Sequence, residues 1–322
     1  MRKIGVLTSG GDAPGMNAAI RAVVRVSRSK GMEVVGVAMG FAGLVGGEMR
    51  ALDERVVGGI IQHGGTVLGT ARSEDFEREA GRRQALANLS AWGVEGLVVI
   101  GGDGSLRGAH ALYEIGFPVV GVPATIDNDI PGTQIAIGVD TALNTVIQAV
   151  DRIKDTATSH HRAFIIEVMG RNCGYLALMA GMASGAEMVL IPEVETPVET
   201  VVDELTRAYA RGKLHFIVIA AEGAALKAHH LRDYLGELEG GTFEARLTIL
   251  GHIQRGGSPS AFDRILATRL GAAAVEELRK GASGTMVAYA GGKIASVDIM
   301  KAIGRRCGVD TGLYQLAKLL AK

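Results

Sequence analysis

The segment Thr125-Ile126-Asp127-Asn128-Asp129 places two carboxylates within five residues, directly after an apolar run. In an extended chain alternate side chains point the same way, so Thr125, Asp127 and Asp129 are expected to share one face. Two carboxylates this close repel each other, and at least one is expected to have a perturbed pKa or a metal ion nearby. The pattern favours a general base beside a metal-bound phosphate. The alternative is a turn with solvated Asp and Asn side chains.

Two glycine-rich loops also follow apolar runs and open helices: SGGDAPG at 9–15 and GGDGS at 101–105. Glycine lets backbone N–H groups approach a phosphate, and a helix N-terminus adds positive potential. Asp103 in the second loop could bind Mg²⁺ while the neighbouring amides hold nucleotide phosphates. The first loop is neither a Walker A nor a GxGxxG sequence. A tight strand-to-helix turn for the first loop, and a helix cap for Asp103, are the alternatives.

Arginine recurs beside glycines at predicted strand ends. Arg72 follows Gly69, Arg171 follows Gly170, and the Gly-rich stretch 251–257 contains His252 and Arg255. A single arginine is more often a solvated surface residue. Several at such positions, with Arg162 and Arg246 nearby, favour binding of phosphate groups.

Short runs rich in Val and Ile alternate with helical patterns, which predicts buried parallel strands in an α/β fold. Strands are predicted at 4–7, 34–38, 97–100, 119–122, 164–168, 188–191 and 216–221. Helices are predicted at 16–30, 80–92, 105–115, 139–157, 197–210, 262–280 and 311–321, with Asp140 as the N-cap of the fourth. Ligands of open α/β sheets bind beyond the carboxyl ends of the strands, where the glycine loops lie.

Composition excludes several classes of protein. Of 322 residues, 46 are glycine, 48% are hydrophobic and 21% are charged, which argues against intrinsic disorder. Lys+Arg and Asp+Glu both total 34, which argues against a general nucleic-acid binder. The two cysteines, Cys173 and Cys307, form no disulfide framework or zinc motif, and an intracellular, cytoplasmic location is expected. No signal peptide is expected, because the N-terminal segment has no apolar stretch long enough. No membrane span is expected, because no apolar run reaches about 18 residues.

Together these motifs resemble the bacterial ATP-dependent 6-phosphofructokinases. The resemblance rests on LTSGGDAPGMNAAIR, GGTVLGTAR, VVIGGDGS, TIDNDI, VMGR and LGHIQRGGSPSAFDRILA, which occur in order over almost the whole chain. It implies two similar three-layer α/β domains with mostly parallel sheets, the chain crossing between them and the active site in their cleft. The larger, ATP-binding domain would comprise 1–138 and about 254–305, and the fructose 6-phosphate-binding domain 139–253 and about 306–322. It also implies a homotetramer.

The activity that the resemblance implies is transfer of the γ-phosphoryl group of Mg-ATP to the 1-hydroxyl of fructose 6-phosphate, an allosterically regulated step of glycolysis. Asp127 matches the base, assisted by Arg72, Thr125, Asp129 and Arg171. The ATP site matches Gly11, Arg72, Ser73, Gly102, Asp103, Gly104 and Ser105, with Asp103 at the Mg²⁺ position. The sugar-phosphate site matches Thr125, Ile126, Asp127, Arg162, Met169, Gly170, Arg171, Glu222, Arg246, His252 and Arg255. Arg162 and Arg246 would come from the neighbouring subunit.

The phosphate donor follows from two positions. Pyrophosphate-dependent relatives tend to carry Asp where this chain has Gly104, and Lys where it has Ala124. Gly104 leaves room for an α-phosphate and Ala124 adds no cation, so ATP is favoured over pyrophosphate, which remains the alternative. Ala124 departs from the usual bacterial glycine. Lipid and NAD kinases share the GGDG loop but leave the HIQRGG turn unexplained, and a non-enzymatic sugar-phosphate sensor would not need both Asp103 and Asp127.

Effector binding is implied more weakly. The family binds ADP as activator and phosphoenolpyruvate as inhibitor between subunits, and the matching residues are Arg21, Arg25, Lys154, Gly185, Glu187, Arg211, Lys213 and His215. This chain departs from the common pattern at Glu54, Gly59, Lys154 and Leu214. Glu54 inverts a charge that Arg55 could compensate, and Lys154 keeps a charge but lacks the guanidinium fork. Effector binding is expected to persist with altered strength or coupling.

Overall fold

A computed structural model describes residues 1–158, 162–213, 215–238, 244–304 and 308–321. The chain forms two compact units, each assembled from separate stretches of sequence. Unit 1 comprises Met1–Ile126, Ile130–Thr141 and Arg255–Arg306, and unit 2 comprises Asp127–Asp129, Ala142–Gln254 and Cys307–Lys322. Residues 127–129 therefore group with unit 2, although the sequence assigned them to the larger domain. The third predicted domain boundary, at 305/306, lies outside the described residues.

Among the described residues, unit 1 contains seven strands and seven complete helices. The strands are β1 (Lys3–Ser9), β2 (Glu33–Val37), β3 (Met49–Leu52), β4 (Leu97–Gly101), β5 (Val119–Pro123), β10 (Thr285–Ala290) and β11 (Lys293–Asp298). The helices are α1 (Met16–Ser29), α2 (Gly40–Gly46), α3 (Glu74–Glu77), α4 (Glu79–Ala91), α5 (Asp103–Glu114), α10 (Ala261–Arg279) and α11 (Ile299–Ala302).

The sheet of unit 1 has the order β11-β10-β5-β4-β1-β2-β3. Its five inner strands are parallel, and β3 and β11 pair antiparallel at the edges. Alternate strand residues pack against different helices: Leu7, Val35 and Val99 join a core with α2, α4 and α5. Helices α1 and α10 pack against each other, and each of them also contacts strands of the sheet. The unit therefore has three layers, and the carboxyl ends of β1, β4 and β5 lie side by side.

Among the described residues, unit 2 contains four strands and four complete helices. The strands are β6 (Ala163–Val168), β7 (Met188–Leu190), β8 (Phe216–Ala221) and β9 (Ala245–Ile249), all parallel in the order β7-β8-β6-β9. The helices are α7 (Tyr175–Ser184), α8 (Val198–Ala210), α9 (Ala228–Glu237) and α12 (Thr311–Leu320), and a 3₁₀ turn, η1 (Gly251–Arg255), ends in unit 1. Helix α6 (Val139–Thr158) begins in unit 1 and continues in unit 2.

Two cores cover the sheet of unit 2. Ile166 packs with residues of α6, α7 and α12, whereas its neighbour Ile165 packs with residues of α8 and α9. Successive strand residues point to opposite faces, so this unit also has three layers. The predicted fold class, two three-layer α/β units with mostly parallel sheets, is confirmed. No helix among the described residues is both long and apolar enough to cross a bilayer.

All seven predicted strands are present, but β3, β9, β10 and β11 were not predicted. Three of these four lie at sheet edges, and their burial alternates or is partial. A strand with an exposed face lacks the continuous apolar run that marks a buried parallel strand. The unpredicted strands thus add to sheets whose central strands were predicted from the sequence.

The predicted N-cap of α6 was wrong. Asp140 lies inside the first turn, and its Oδ2 accepts a hydrogen bond from the Ser260 hydroxyl at 2.5 Å. The first backbone N–H groups of α6 are instead bound by Asp263 of α10: Gly138 N–H at 2.9 Å and Thr141 N–H at 2.8 Å. A cap supplied from a distant helix leaves no local sequence pattern.

Candidate active site

The loop after β1 turns sharply on glycines. Gly10 has φ +81°, and Gly15, which precedes α1, has φ +110°, both in the left-handed region that favours glycine. The guanidinium of Arg255 lies against Gly11, where an added Cβ would overlap it, and Arg255 Nη1 donates to the Asp12 carbonyl at 3.5 Å. Arg255 therefore lies on the glycine loop of unit 1, whereas the exposed His252 of the same 3₁₀ turn belongs to unit 2.

The second glycine loop lies beside the first because β1 and β4 are paired, with Ser9 opposite Gly101. The buried hydroxyl of Ser105 is near both loops: Cβ atoms added at Gly10 or Gly101 would crowd it. Ser105 Oγ has no hydrogen-bond partner among the described residues. An added Cβ at Gly104 would meet no atom within 4 Å, so open space adjoins this loop at the start of α5.

Asp103 is not a helix cap, because α5 begins at Asp103 and its N-cap, Gly102, has no side-chain hydrogen bond. Its Oδ2 accepts from Arg107 Nε at 2.9 Å, and its buried Oδ1 has no hydrogen-bond partner among the described residues. A bare buried carboxylate oxygen beside open space fits Mg²⁺, which proteins commonly hold by one or two carboxylates plus substrate phosphates. Among the described residues, no three His, Cys, Asp or Glu side chains are grouped so that they could hold a metal ion. Asp103 would therefore be the protein ligand of a Mg²⁺ ion at this loop.

The Arg72 loop is tied to the first glycine loop. The Thr70 hydroxyl donates to the Gly10 carbonyl at 2.7 Å, and the preceding Gly69 has φ +68°. Arg72 is exposed, whereas the hydroxyl of Ser73 accepts from Phe76 N–H at 3.2 Å as the N-cap of α3. The Ser73 side chain, predicted to bind nucleotide, thus has a structural task.

Exposure alternates along the carboxylate segment, as its spacing predicted. Thr125, Asp127 and Asp129 are half-buried, while the residues between them are buried. The chain is not fully extended, however, because Asn128 has φ +51°. Asparagine tolerates the left-handed region better than most residues, so a sharp bend separates the two carboxylates.

In unit 2, the loops after β6 and β8 are bound to each other. Glu222 N–H donates to the Val168 carbonyl at 2.8 Å, and Gly223 N–H to the Gly170 carbonyl at 3.3 Å. Gly170 has φ +131°, and a Cβ there would lie 2.5 Å from the Cys173 carbonyl. The predicted substrate residues Met169, Gly170, Arg171 and Glu222 are therefore held together, with Arg171 and Glu222 exposed.

Gln254 was not predicted from the motifs, yet it connects two loops that carry predicted substrate residues. It is fully buried, and its Oε1 accepts from Met169 N–H at 3.2 Å while its Nε2 donates to the Gly251 carbonyl at 2.9 Å. It links the 3₁₀ turn that carries His252 to the loop that carries Arg171. A lone polar residue in a Gly-rich turn was the only signal available.

Arg162 and Arg246 are neighbours, because β6 and β9 pair with Phe164 opposite Arg246. Both guanidiniums bind Glu244: Arg162 Nε lies 2.5 Å from Oε2, and Arg246 Nη2 contacts Oε1. Glu244 was not predicted. It holds the two arginines together, and a phosphate would have to compete with it for their charge.

Cys173 lies in the same unit as Asp127 and Asp129. Burial raises the pKa of its thiol to about 12, and the carboxylates of Glu193, Asp129 and Asp127 add to the rise. A neutral thiol is a poor nucleophile, so covalent cysteine catalysis is disfavoured here.

The predicted effector residues fall into two groups. Arg21 and Arg25 lie on α1 of unit 1, where Glu54 pairs with Arg28 at 3.6 Å and not with Arg55. In unit 2, Glu187 binds Lys213 at 3.0 Å and accepts from Ile217 N–H at 2.8 Å, and Lys154 donates to the Ser184 carbonyl beside Gly185. Arg211 and Glu187 line a cavity of about 400 Å³ that Tyr314 of α12 also borders. His215 is half-buried, and Leu214 lies outside the described residues.

Comparison with known proteins shows the family of the chain. The family model described as phosphofructokinase matches residues 3–278. The ATP-dependent 6-phosphofructokinases of Halalkalibacterium halodurans and Thermotoga neapolitana are each 52% identical to the chain, and the alignments cover 100% of both partners. Phosphofructokinase from Saccharomyces cerevisiae superposes with a TM-score of 0.87 at 38% identity, covering 99% of this chain, which spans 47% of the yeast chain.

A more distant structure shares the fold alone. The pyrophosphate-dependent phosphofructokinase of Marinobacter aquaeolei superposes with a TM-score of 0.84 at 21% identity, covering 97% of this chain and 86% of that one. The family model covers most of the chain, and two relatives are 52% identical over the full length. The chain belongs to the phosphofructokinase family.

Proposed function

We propose that the chain transfers the γ-phosphoryl group of Mg-ATP to the 1-hydroxyl of fructose 6-phosphate, giving fructose 1,6-bisphosphate and ADP. The observation that carries this proposal is the open space at Gly104 beside Asp103. It favours a nucleotide over pyrophosphate, and it adds to the naming of the curated relatives as ATP-dependent enzymes. Pyrophosphate remains the alternative donor.

Residues of unit 1 would bind the nucleotide. The backbone of Gly11, in the loop before α1, and of Gly102–Ser105, at the start of α5, would approach the phosphates, and Arg72 would add positive charge. Asp103 would hold Mg²⁺, which when bound neutralises charge on the phosphates. Phosphoryl transfer depends on alignment and charge neutralisation more than on covalent chemistry, and these residues would supply both.

Asp127 would act as the general base that takes the proton from the sugar 1-hydroxyl. Thr125, Ile126 and Asp129 adjoin it in sequence and would help to orient that hydroxyl. Arg171 is exposed at the end of β6 and would neutralise charge on the transferring group. Met169, Gly170 and Glu222 would bind the sugar, since hydrogen bonds between their loops hold them together.

Four residues would bind the 6-phosphate: Arg162, Arg246, His252 and Arg255, the last of which also contacts the nucleotide loop. We propose that the chain is a homotetramer and that Arg162 and Arg246 act on the neighbouring subunit's substrate. The position of the pair supports this, because Arg246 lies on β9, an edge strand. The unpaired backbone groups of an edge strand are a template for contact with another chain.

Replacing Arg246 by serine is expected to raise KM for fructose 6-phosphate by ~10–100-fold, with little change in KM for ATP. The reason is the loss of a charge-assisted hydrogen bond to the 6-phosphate, which is worth about 1.5–3 kcal/mol. Steady-state kinetics with each substrate varied in turn measure both constants. Arg232→Ser is the matched control, since Arg232 is exposed on α9 and pairs only with its neighbour Asp233 among the described residues. Unchanged fructose 6-phosphate kinetics in Arg246→Ser would contradict the assignment.

One assay tests the activity itself. The purified protein is given fructose 6-phosphate with Mg-ATP, and ADP release and fructose 1,6-bisphosphate are measured. The same mixture with pyrophosphate in place of ATP reports phosphate release. Turnover with ATP but not with pyrophosphate supports the proposal, the reverse supports the alternative, and no sugar-dependent turnover with either donor rejects both.

We also propose that ADP and phosphoenolpyruvate regulate the enzyme through Arg21, Arg25, Lys154, Gly185, Glu187, Arg211, Lys213 and His215. Several of these side chains have partners already: Lys213 is bound by Glu187, and Lys154 by a backbone carbonyl. An effector must displace such contacts, so the response is expected to be weaker than a free cationic pocket would give. A cytoplasmic location stays a prediction.

The expected result is that phosphoenolpyruvate raises, and ADP lowers, the fructose 6-phosphate concentration at half-maximal rate. Saturation curves at several effector concentrations measure the shift. Curves that superimpose at saturating effector would reject regulation by these two ligands, without bearing on the catalytic assignment.

A further inference from the structure

Asp263 is a fully buried carboxylate with no role in the chemistry described above. It belongs to α10, yet its two oxygens bind the start of α6 in the same unit. Oδ1 accepts from Gly138 N–H at 2.9 Å, and Oδ2 accepts from Thr141 N–H at 2.8 Å and from the Thr141 hydroxyl at 2.5 Å. A buried carboxylate is costly unless hydrogen-bonded, so its presence calls for an explanation.

The hydrogen bonds of Asp263 to Gly138 and Thr141 form a clamp beside Ile137. Ile137 closes the loop that carries the carboxylate segment. Ile137 N–H donates to the Pro123 carbonyl at 3.1 Å, and Thr125 N–H donates to the Ile137 carbonyl at 3.0 Å. Residues 126–136, including Asp127, thus form a loop whose base is Ile137 paired with the end of β5. Gly138, bound by Asp263, is the next residue along the chain.

The nucleotide loop packs on the same point. Gly138 has φ +103°, and an added Cβ there would lie 2.7 Å from Ala13 Cβ. A Cβ added at Gly15 would lie 2.7 Å from Ile137 Cγ2 and 3.5 Å from the Asp263 carbonyl. The glycine backbones pack closely against the side chains of Ala13 and Ile137, so a displacement of Gly138 or Ile137 would be transmitted directly to the loop before α1.

A second set of contacts holds the far side of the 126–136 loop. Gln134 N–H donates to the Tyr289 carbonyl at 2.8 Å, and Tyr289 N–H donates to the Thr133 hydroxyl at 3.1 Å. Loss of the clamp should therefore loosen the base of the loop without releasing the loop from the sheet.

We propose that Asp263 is a positioning residue for phosphoryl transfer: its carboxylate fixes the base of the loop that carries Asp127 against the nucleotide loop. This inference rests on the proposed function. Small misplacements of reacting groups cost rate more than binding, since alignment is what a positioned site supplies. A residue that only stabilised the fold would lower the amount of folded enzyme and leave its kcat unchanged.

Asp263→Asn keeps the size of the side chain but replaces one acceptor oxygen with a donor. It is expected to lower kcat by ~10-fold, with KM for either substrate changed by less than about 3-fold. Hydrogen exchange measured on peptides covering 123–141 should accelerate, while peptides from β4 and α5 keep their wild-type protection. The Thr141 pair gives a matched comparison: Thr141→Ser, which retains the hydroxyl donor, should keep wild-type kcat, and Thr141→Val should lose several-fold.

The proposal is overturned if folded Asp263→Asn has wild-type kcat, or if exchange accelerates equally in all peptides. If Asp263→Asn does not fold, the Thr141 pair decides: equal kcat in Thr141→Ser and Thr141→Val overturns the proposal, and the predicted difference supports it. Wild-type protein without sugar-dependent ATP turnover would reject the proposed function instead, and the exchange comparison would still report whether Asp263 holds the loop.

Discussion

Asp127→Ser is expected to lower kcat by ~10²–10⁴-fold while leaving KM for both substrates nearly unchanged. Serine cannot take the proton from the sugar 1-hydroxyl, whereas the residues proposed to bind the sugar phosphate and the nucleotide remain. The half-buried position of Asp127, between buried neighbours at the end of β5, gives the carboxylate a fixed place from which to act. Steady-state kinetics with each substrate varied provide the test.

An exposed aspartate outside the loops serves as the control for Asp127. Asp151 is exposed on α6, and Asp151→Ser should retain the kcat of the wild type. A pH profile adds a second readout, because a general base gives a limb of falling kcat at low pH that Asp127→Ser should lack. Near-normal kcat in Asp127→Ser would remove Asp127 from the mechanism.

Gly104→Asp is expected to lower kcat/KM for Mg-ATP by ~10²-fold or more, while the protein folds normally. The added carboxylate would occupy the space where a Cβ meets no atom within 4 Å, next to Asp103. The added carboxylate and a nucleotide phosphate about 4–5 Å apart would repel each other by about 3–4 kcal/mol at an effective dielectric constant of about 20. That energy corresponds to a ~10²–10³-fold loss in kcat/KM for Mg-ATP. An acidic residue in the first turn of α5 favours the helix, so the loss would not come from unfolding.

Gly104→Ala is the matched control for charge. Its Cβ meets no atom within 4 Å, and alanine suits a helix better than glycine, so kcat/KM for ATP should fall by less than about 3-fold. Measuring both variants with ATP and with pyrophosphate separates the donors. Unaltered use of ATP by Gly104→Asp would show that the open space at Gly104 is not where the nucleotide binds.

Much of the fold was predictable because buried parallel strands and glycine turns leave local patterns. The runs at 97–100 and 119–122 became β4 and β5, and the loops after them carry Asp103 and Asp127. Edge strands such as β9 were missed because their partly exposed residues have no continuous apolar run. The bend at Asn128 was also missed, since alternation of residue types does not specify backbone handedness.

The groups that hold the candidate site together were the ones that local reasoning could not find. Glu244 binds two arginines, Gln254 links a turn to the loop of Met169, and Asp263 caps a helix whose first turn lies 122 residues away in the chain. The contacts of Glu244 with Arg162, of Gln254 with Met169 and of Asp263 with Thr141 have no spacing that marks them, because tertiary packing brings these partners together.

The sequence by itself determined the family, the class of fold and which side chains could carry the chemistry, because those depend on residue type and short-range spacing. Only the tertiary structure decided which of the cationic side chains are already occupied: Arg162 by Glu244, and Lys154 by the Ser184 carbonyl. These contacts join segments far apart in the chain, so the partners follow from three-dimensional proximity and not from the order of residues.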